Sequence, residues 1–167
     1  APTKKAFSGE LIGSKITSIH RKGTLLVFGV EDTHLLVMSL GAKAKVVKVQ
    51  AKEPIEPGTG LVITFTQGGQ LRLVDTKKGS SIELIAVDGL AAAHPELANL
   101  GVDPVDEPIS WTTFGEQLLR RDGKLKSVLM DQTFMVGIGP IYSDEILFHA
   151  GLRYDRQTTT LSAQEIR

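Results

Sequence analysis

The 167-residue chain has no cysteine, which excludes disulfides and any thiolate metal site built from its own residues. No apolar run approaches the roughly 18 residues that a membrane-spanning helix needs. Residues 1–7 lack the apolar core of a secretory signal, so no membrane contact is expected and the location read from the sequence is cytoplasmic. Histidine is sparse: His20, His34, His94 and His149 are scattered, form no HExxH motif, and are read as surface or packing residues. No metal site and no cofactor are therefore expected. Net charge is also missing, with 19 Lys and Arg against 19 Asp and Glu. That balance argues against nucleic-acid binding driven by an overall field.

A hydrophobic fraction of 41% and a charged fraction of 23% are ordinary for a globular domain, and the length suits one domain or two small ones. The charge is unevenly laid out. Residues 1–52 hold 9 basic against 3 acidic side chains, residues 53–123 hold 5 against 11, and the remainder 5 against 5. A basic end thus precedes an acidic middle, which fits a binding footprint and a set of solvated faces equally well.

From Lys15 to Val87 the text is strand-like. KITSIHR, LLVFGV, THLLVMSL, AKVVKVQ, LVITFT, QLRLVD and IELIAV are short β-branched or apolar runs. Lys22-Gly23, Glu31-Asp32 and Thr66-Gln67-Gly68-Gly69 supply turns, and Pro54, Pro57 and Gly58 mark a longer loop. After Ala86 the period becomes helical. Pro95 to Leu100 predicts a short helical turn, followed by the proline-rich connector GVDPVDEPIS. Thr113 with Glu116 reads as a capping box opening a helix over Phe114 to Arg121. Leu125, Val128 and Leu129 share one helix face, Gly137-Ile138-Gly139-Pro140 interrupts, and a further helix is expected from about Ile141 to Ala150. Ser162 and Glu165 form another capping box close to Arg167, so the chain is expected to be cut inside a helical module. The division expected is 1–88 for a β domain and 89–167 for a connector and helical module. The fold class is α+β, an antiparallel β-sandwich followed by helices.

The densest motif is LKSVLMDQTFMVGIGPIYSDEILFHAGL, Leu125 to Leu152. A helix, a glycine turn and a second helix put backbone N–H groups at a helix start, where an anion such as phosphate is favoured. Taken alone, a GxG of this kind is more often a tight helix connection. The stretch resembles the helix-two-turns-helix module of the formamidopyrimidine-DNA glycosylase family, which reads close to LLMDQ, GIGNIY and DEILF. FTQGGQLRLVD is similar to the strand pair ahead of that family's arginine loop, and ELANLGVDPVDEPISW to its connector. With LRYDRQTTTLSAQEIR, the resemblance extends over nearly all of residues 7–167.

The resemblance implies excision of oxidised purines by base flipping. In the family an amino-terminal proline amine attacks the sugar to give a Schiff base, assisted by a glutamate in an opening PELPEVE segment. This chain opens APTKKAF instead. Pro2 is followed by Thr3, and no catalytic residue is assigned. Where the family has RRGK with a phosphate-contacting lysine, Arg21-Lys22-Gly23-Thr24 stands. The methionine wedge of HLGMSG is replaced by alanine within Ser39-Leu40-Gly41-Ala42-Lys43-Ala44. The DPRxFG loop becomes Asp75-Thr76-Lys77-Lys78-Gly79-Ser80, keeping a charge at Lys77 without an aromatic. KHTH becomes Pro57-Gly58-Thr59-Gly60, and the asparagine of GIGN is Pro140, which has no N–H to donate. The family's cysteine zinc ribbon has no counterpart, in keeping with the expectation of no cofactor.

These departures fall on DNA-facing positions and spare the strand and helix interiors. The preferred reading is a DNA-binding, non-excising relative, with double-stranded DNA held through its phosphate backbone by Lys124, Lys126, Gly137, Ile138, Gly139, Lys77 and Lys43, on a basic strand shared with Lys45 and Lys48. It would then be associated with the bacterial nucleoid. One alternative is a fragment of an active oxidised-purine glycosylase. Another is a non-catalytic protein-interaction module, whose partner the sequence does not name. Tyr142, Asp144 and Glu145 match family positions and are read as packing and capping groups.

Overall fold

The computed structural model describes residues 9–167; Pro2 and Thr3 lie outside them. Seven strands occur where the seven apolar runs predict them: β1 (Ile16–Lys22), β2 (Leu25–Val30), β3 (His34–Ser39), β4 (Lys45–Val49), β5 (Thr59–Thr64), β6 (Gln70–Val74) and β7 (Ser81–Ala86). They form a four-stranded sheet in the order β1-β2-β3-β7 and a three-stranded sheet in the order β4-β6-β5. All pairings are antiparallel.

Period-two alternation explains the packing. Phe28 and Val30 of β2 and Leu36 and Met38 of β3 point to one side, where Leu61, Ile63 and Leu71 of the second sheet meet them. This is a sandwich core. The β2–β3 hairpin turns through Glu31 and Asp32, whose φ values of 51° and 57° are those of a tight primed turn. Arg72 lies on the face of β6 opposite Leu71 and is still only 2% exposed. Its guanidinium donates to the carbonyls of Pro54 (2.6 Å) and Glu53 (2.7 Å) and to Gln70 Oε1. The loop before β5 is thereby folded over the outer face of the sheet.

The break between the two compact units falls between Ala93 and His94, because the short helix α1 (Leu90–Ala93) packs on β7. The second unit contains the 3-10 turn Pro95–Asn99, then α2 (Trp111–Leu119), α3 (Leu125–Leu129), α4 (Pro140–Ala150), the turn Thr158–Thr160 and α5 (Ala163–Ile166). Its core joins Leu118, Leu125, Val128, Leu129, Phe134, Met135, Ile138, Leu147 and Leu161. The expected Thr113 capping box is corrected. Ser110 is the N-cap, its hydroxyl accepting the Thr113 N–H at 3.1 Å, so α2 starts at Trp111 and Thr113 sits in its first turn. The Ser162–Glu165 capping box forms with both of its bonds. Ile166 then rests on α2 where Gly115 leaves room; a Cβ there would lie 2.7 Å from Ile166 Cγ2.

The connector is more than a tether. Gly101 N–H donates to Gln132 O at 2.8 Å, Val102 N–H to Phe134 O, and Val136 N–H back to Val102 O. A Cβ at Gly101 would stand 2.2 Å from the Phe134 carbonyl oxygen, so only glycine permits this approach. No helix among the described residues is long and apolar enough to cross a membrane.

Candidate nucleic-acid interface

Two places carry the predicted residues, one in each unit. In the helical unit the five-residue helix α3 ends at Leu129, and the chain runs through Asp131–Val136 to the glycine turn before α4. Gly137 has φ of 82°, the left-handed region that glycine enters without strain. Gln132 staples the turn. Its Oε1 accepts the Gly137 N–H at 2.8 Å, and its Nε2 donates to Ile138 O (3.1 Å) and Met130 O (3.0 Å).

This revises the expected roles. The Gly137 amide is already committed inside the protein, and the Ile138 side chain is buried in the core. Gly139 is the N-cap of α4, and its carbonyl accepts the Ser143 N–H. Pro140 occupies the first helical position, where its ring geometry suits the helix and its missing N–H removes one amide. The amides left at the head of α4 are those of a helix start, which face outward without partners in the helix. Ser143, fully buried, closes the first turn by donating to Pro140 O at 2.9 Å.

The lysines of this turn are not equivalent. Lys126 Nζ lies 2.6 Å from Asp144 Oδ1, an ion pair from α3 to α4. Asp144 is therefore a partner for lysine rather than a cap, and Tyr142 is 68% exposed rather than packed. Lys124, the N-cap of α3, is exposed. It lies close enough to Asp155 to help hold that carboxyl below its ordinary value, although the hydrogen bond from Arg153 is the main cause.

A second polar network stiffens the segment between the helices. Arg121 donates to Asp131 Oδ2 (2.9 Å), Thr133 Oγ1 (3.0 Å) and Thr133 O (2.7 Å), and its guanidinium stacks over the Phe134 ring. The Thr133 N–H and then its hydroxyl hold Asp131 below its ordinary pKa, and the Arg121 charge adds to the effect. Thr158, also fully buried, donates to the Arg121 carbonyl and ties in the chain after α4.

In the β unit, three loops converge at one end of the sandwich. Asp75 is the hub: Oδ1 accepts the Lys77 N–H (3.0 Å), Oδ2 the Ser80 N–H (2.7 Å), and its own N–H donates to Gly58 O. A hydrogen bond from the Ser80 side chain, joined by these backbone bonds, lowers the Asp75 pKa against the opposing effect of burial. Gly41 N–H donates to Ser80 Oγ at 2.9 Å, and a Cβ at Gly41 would stand 2.9 Å from the Gly79 carbonyl carbon. Lys43, Lys77 and Lys78 are exposed on this frame, whereas Lys45 pairs with Glu56 at 3.1 Å. Lys48 is exposed on β4.

Sequence reasoning identified the glycine turn and the lysines but not the side-chain bonds that hold their loops, those of Gln132, of Arg121 with Asp131 and of Asp75, nor the burial of Arg72. Gln132 had a usable signal, an amide able to donate and accept five residues before a glycine. No group of three or more metal-ligating side chains that could hold an ion occurs among the described residues.

A β-sandwich followed by a helix, a glycine turn and a second helix defines the helix-two-turns-helix class of protein. Two family models match: the formamidopyrimidine-DNA glycosylase N-terminal domain over residues 1–82 and the formamidopyrimidine-DNA glycosylase H2TH domain over residues 100–167. The chain belongs to the formamidopyrimidine-DNA glycosylase family. It is 34% identical over 162 residues to the formamidopyrimidine-DNA glycosylase of Geobacillus kaustophilus, covering 97% of this chain and 58% of that protein. It is 32% identical over 166 residues to that of Moorella thermoacetica, covering 99% and 60%. Among solved structures, the Lactococcus lactis Fpg in complex with abasic-site DNA superposes with a TM-score of 0.81 at 30% identity, over 97% of this chain and 59% of that one. MutM in complex with DNA containing carbocyclic 8-oxo-G gives 0.80 at 29% identity, over 97% and 61%. The chain thus spans about three fifths of the length of these relatives.

Proposed function

We propose that this chain is the duplex-gripping part of a base-excision-repair glycosylase fold and that it holds the phosphate backbone of double-stranded DNA without excising a base. The observation that carries this reading is the stapled turn, with Gln132 fixing Gly137 and Ile138 ahead of α4 in the unit that carries Lys124 and Lys126. Outward amides at a helix start favour an anion, and ammonium groups beside them add charge without reading sequence. Lys43, Lys77 and Lys78 form a second basic group at the end of the sandwich. The bound DNA in the Lactococcus lactis Fpg and MutM complexes supports duplex as the ligand class.

Impaired catalysis is the finer part of the proposal. Its support is the set of exchanges at lesion-facing positions: Thr24 for a lysine, alanine for the wedge, a glycine-serine pair without an aromatic at 79–80, and Pro140 for the asparagine. Binding DNA would place the protein with the bacterial nucleoid in the cytoplasm.

The test is fluorescence anisotropy with a labelled duplex across a salt series. Affinity is expected to fall steeply with salt, to be equal for undamaged and 8-oxoguanine duplexes, and to lose about one unit of log–log slope when Lys124 is changed to alanine. A flat salt response, or no binding at low salt, overturns the DNA reading and leaves an interaction module. A borohydride-trapped covalent adduct with the damaged duplex overturns the non-excising part in favour of an active glycosylase.

A further inference from the structure

The two basic groups differ in how much of their charge is available. Lys43, Lys77 and Lys78 have no ion-pair partner among the described residues. Lys126 is locked to Asp144 at 2.6 Å, with its side chain 29% exposed against 61% for the aspartate. The pair joins the start of α3 to the second turn of α4, across the segment that holds the glycine turn. A phosphate arriving at the head of α4 would therefore meet Lys126 with a carboxylate already seated on it. Glu145, adjacent in sequence and exposed, forms no ion pair among the described residues.

We infer that Asp144 is an internal counter-ion that restrains the helical unit's grip on DNA by occupying Lys126. This rests on the phosphate-backbone reading above and adds a residue that sets its strength. An ammonium paired with a carboxylate displaces few of the cations condensed on DNA, because it brings little net charge to the phosphate. An unpaired one displaces about one. Asp144 thus lowers both the affinity and its salt dependence, and leaves the sandwich loops as the more salt-responsive contact.

The experiment measures duplex affinity over a salt series for the full chain and for Asp144→Asn, Glu145→Gln, Lys126→Ala and the double variant Lys126→Ala with Asp144→Asn. Thermal melting checks each fold. Asp144→Asn is expected to bind roughly three- to tenfold more tightly at low salt, with the log–log slope steeper by about one. Glu145→Gln, with the same change in net charge, is expected to shift affinity less than twofold. With Lys126→Ala in place, Asp144→Asn is expected to leave the slope unchanged.

Equal gains from Asp144→Asn and Glu145→Gln, or a gain undiminished without Lys126, would assign the effect to net charge and overturn the inference. Unchanged or weaker binding by Asp144→Asn, with the unmodified chain still binding, overturns this inference alone. Absence of binding by every form overturns it together with the DNA reading.

Discussion

The β unit and the helical unit solve the same problem, holding loops still, by different means. At the end of the sandwich the backbone segments touch. Gly41 lies against Gly79, and one aspartate gathers the amides of residues 77 and 80. Around the glycine turn of the helical unit the segments are bridged by side chains: Gln132 across the turn, Arg121 to Asp131 and Thr133, and Thr158 to the Arg121 carbonyl. Loops joined by backbone contact carry lysines that are free to act. The side-chain-bridged unit has its best-placed lysine engaged by an aspartate. Rigidity and available charge are thus set separately, and counting lysines along the chain does not reveal which are usable.

The largest expected effect breaks the helical unit at its tightest point. Gly101→Ala drives a Cβ into the Phe134 carbonyl and should cost about 3 kcal/mol or more in chemical denaturation followed by circular dichroism. Gly79→Ala in the β unit meets its nearest neighbour, the Gly41 Cα, at 3.5 Å, an ordinary contact. It should fall within about 0.5 kcal/mol of the unmodified chain. If the two are equal, the close approach of the connector to residues 132–136 is not what confines Gly101.

A smaller effect sharpens the account of the β unit. Arg72→Leu leaves the carbonyls of Glu53 and Pro54 and the Gln70 amide oxygen without their donor. It should cost about 1–3 kcal/mol, because the loop can recover part of its hydrogen bonding from water. Faster amide exchange confined to residues 50–58, measured by mass spectrometry, checks that the loop is what comes loose.

The smallest effect is in acid. Hydrogen bonds hold Asp75 below the ordinary aspartate value of 3.8. Its contribution to stability is therefore fully present above that value and is lost as pH falls through the lower folded value. Asp131 in the helical unit follows the same sign, chiefly through the Thr133 N–H. Asp75→Asn should flatten the acid limb of the β unit's melting profile and leave that of the helical unit unchanged. Flattening of both would mean that the two carboxylates do not report on their own units.

What was legible in the sequence divides along the same line. All seven strands are readable because they are short apolar or β-branched runs separated by turn residues with specific backbone needs. Leu125, Val128 and Leu129 likewise announce the buried face of α3. The start of α2 was misplaced because Ser110 and Thr113 are both cap-forming residues three apart, and only the three-dimensional backbone shows which oxygen receives the amide. Arg72 reads as a polar residue on the solvent face of a strand, and nothing local reveals that residues 53 and 54 return to cover it. The Lys126–Asp144 pair spans eighteen residues and depends on the path of the glycine turn, so no periodicity could have exposed it.

The rung made by Gly101 and Val102 against residues 132–136 has a consequence for how the protein is divided. A stretch containing two prolines and several acidic residues has the look of slack rope between two bodies, yet its first residues are woven into the body that follows. The helical unit therefore brings its own leading edge. An attempt to isolate it should begin ahead of His94, since a start within 100–136 would sever the weave and not merely trim a tether.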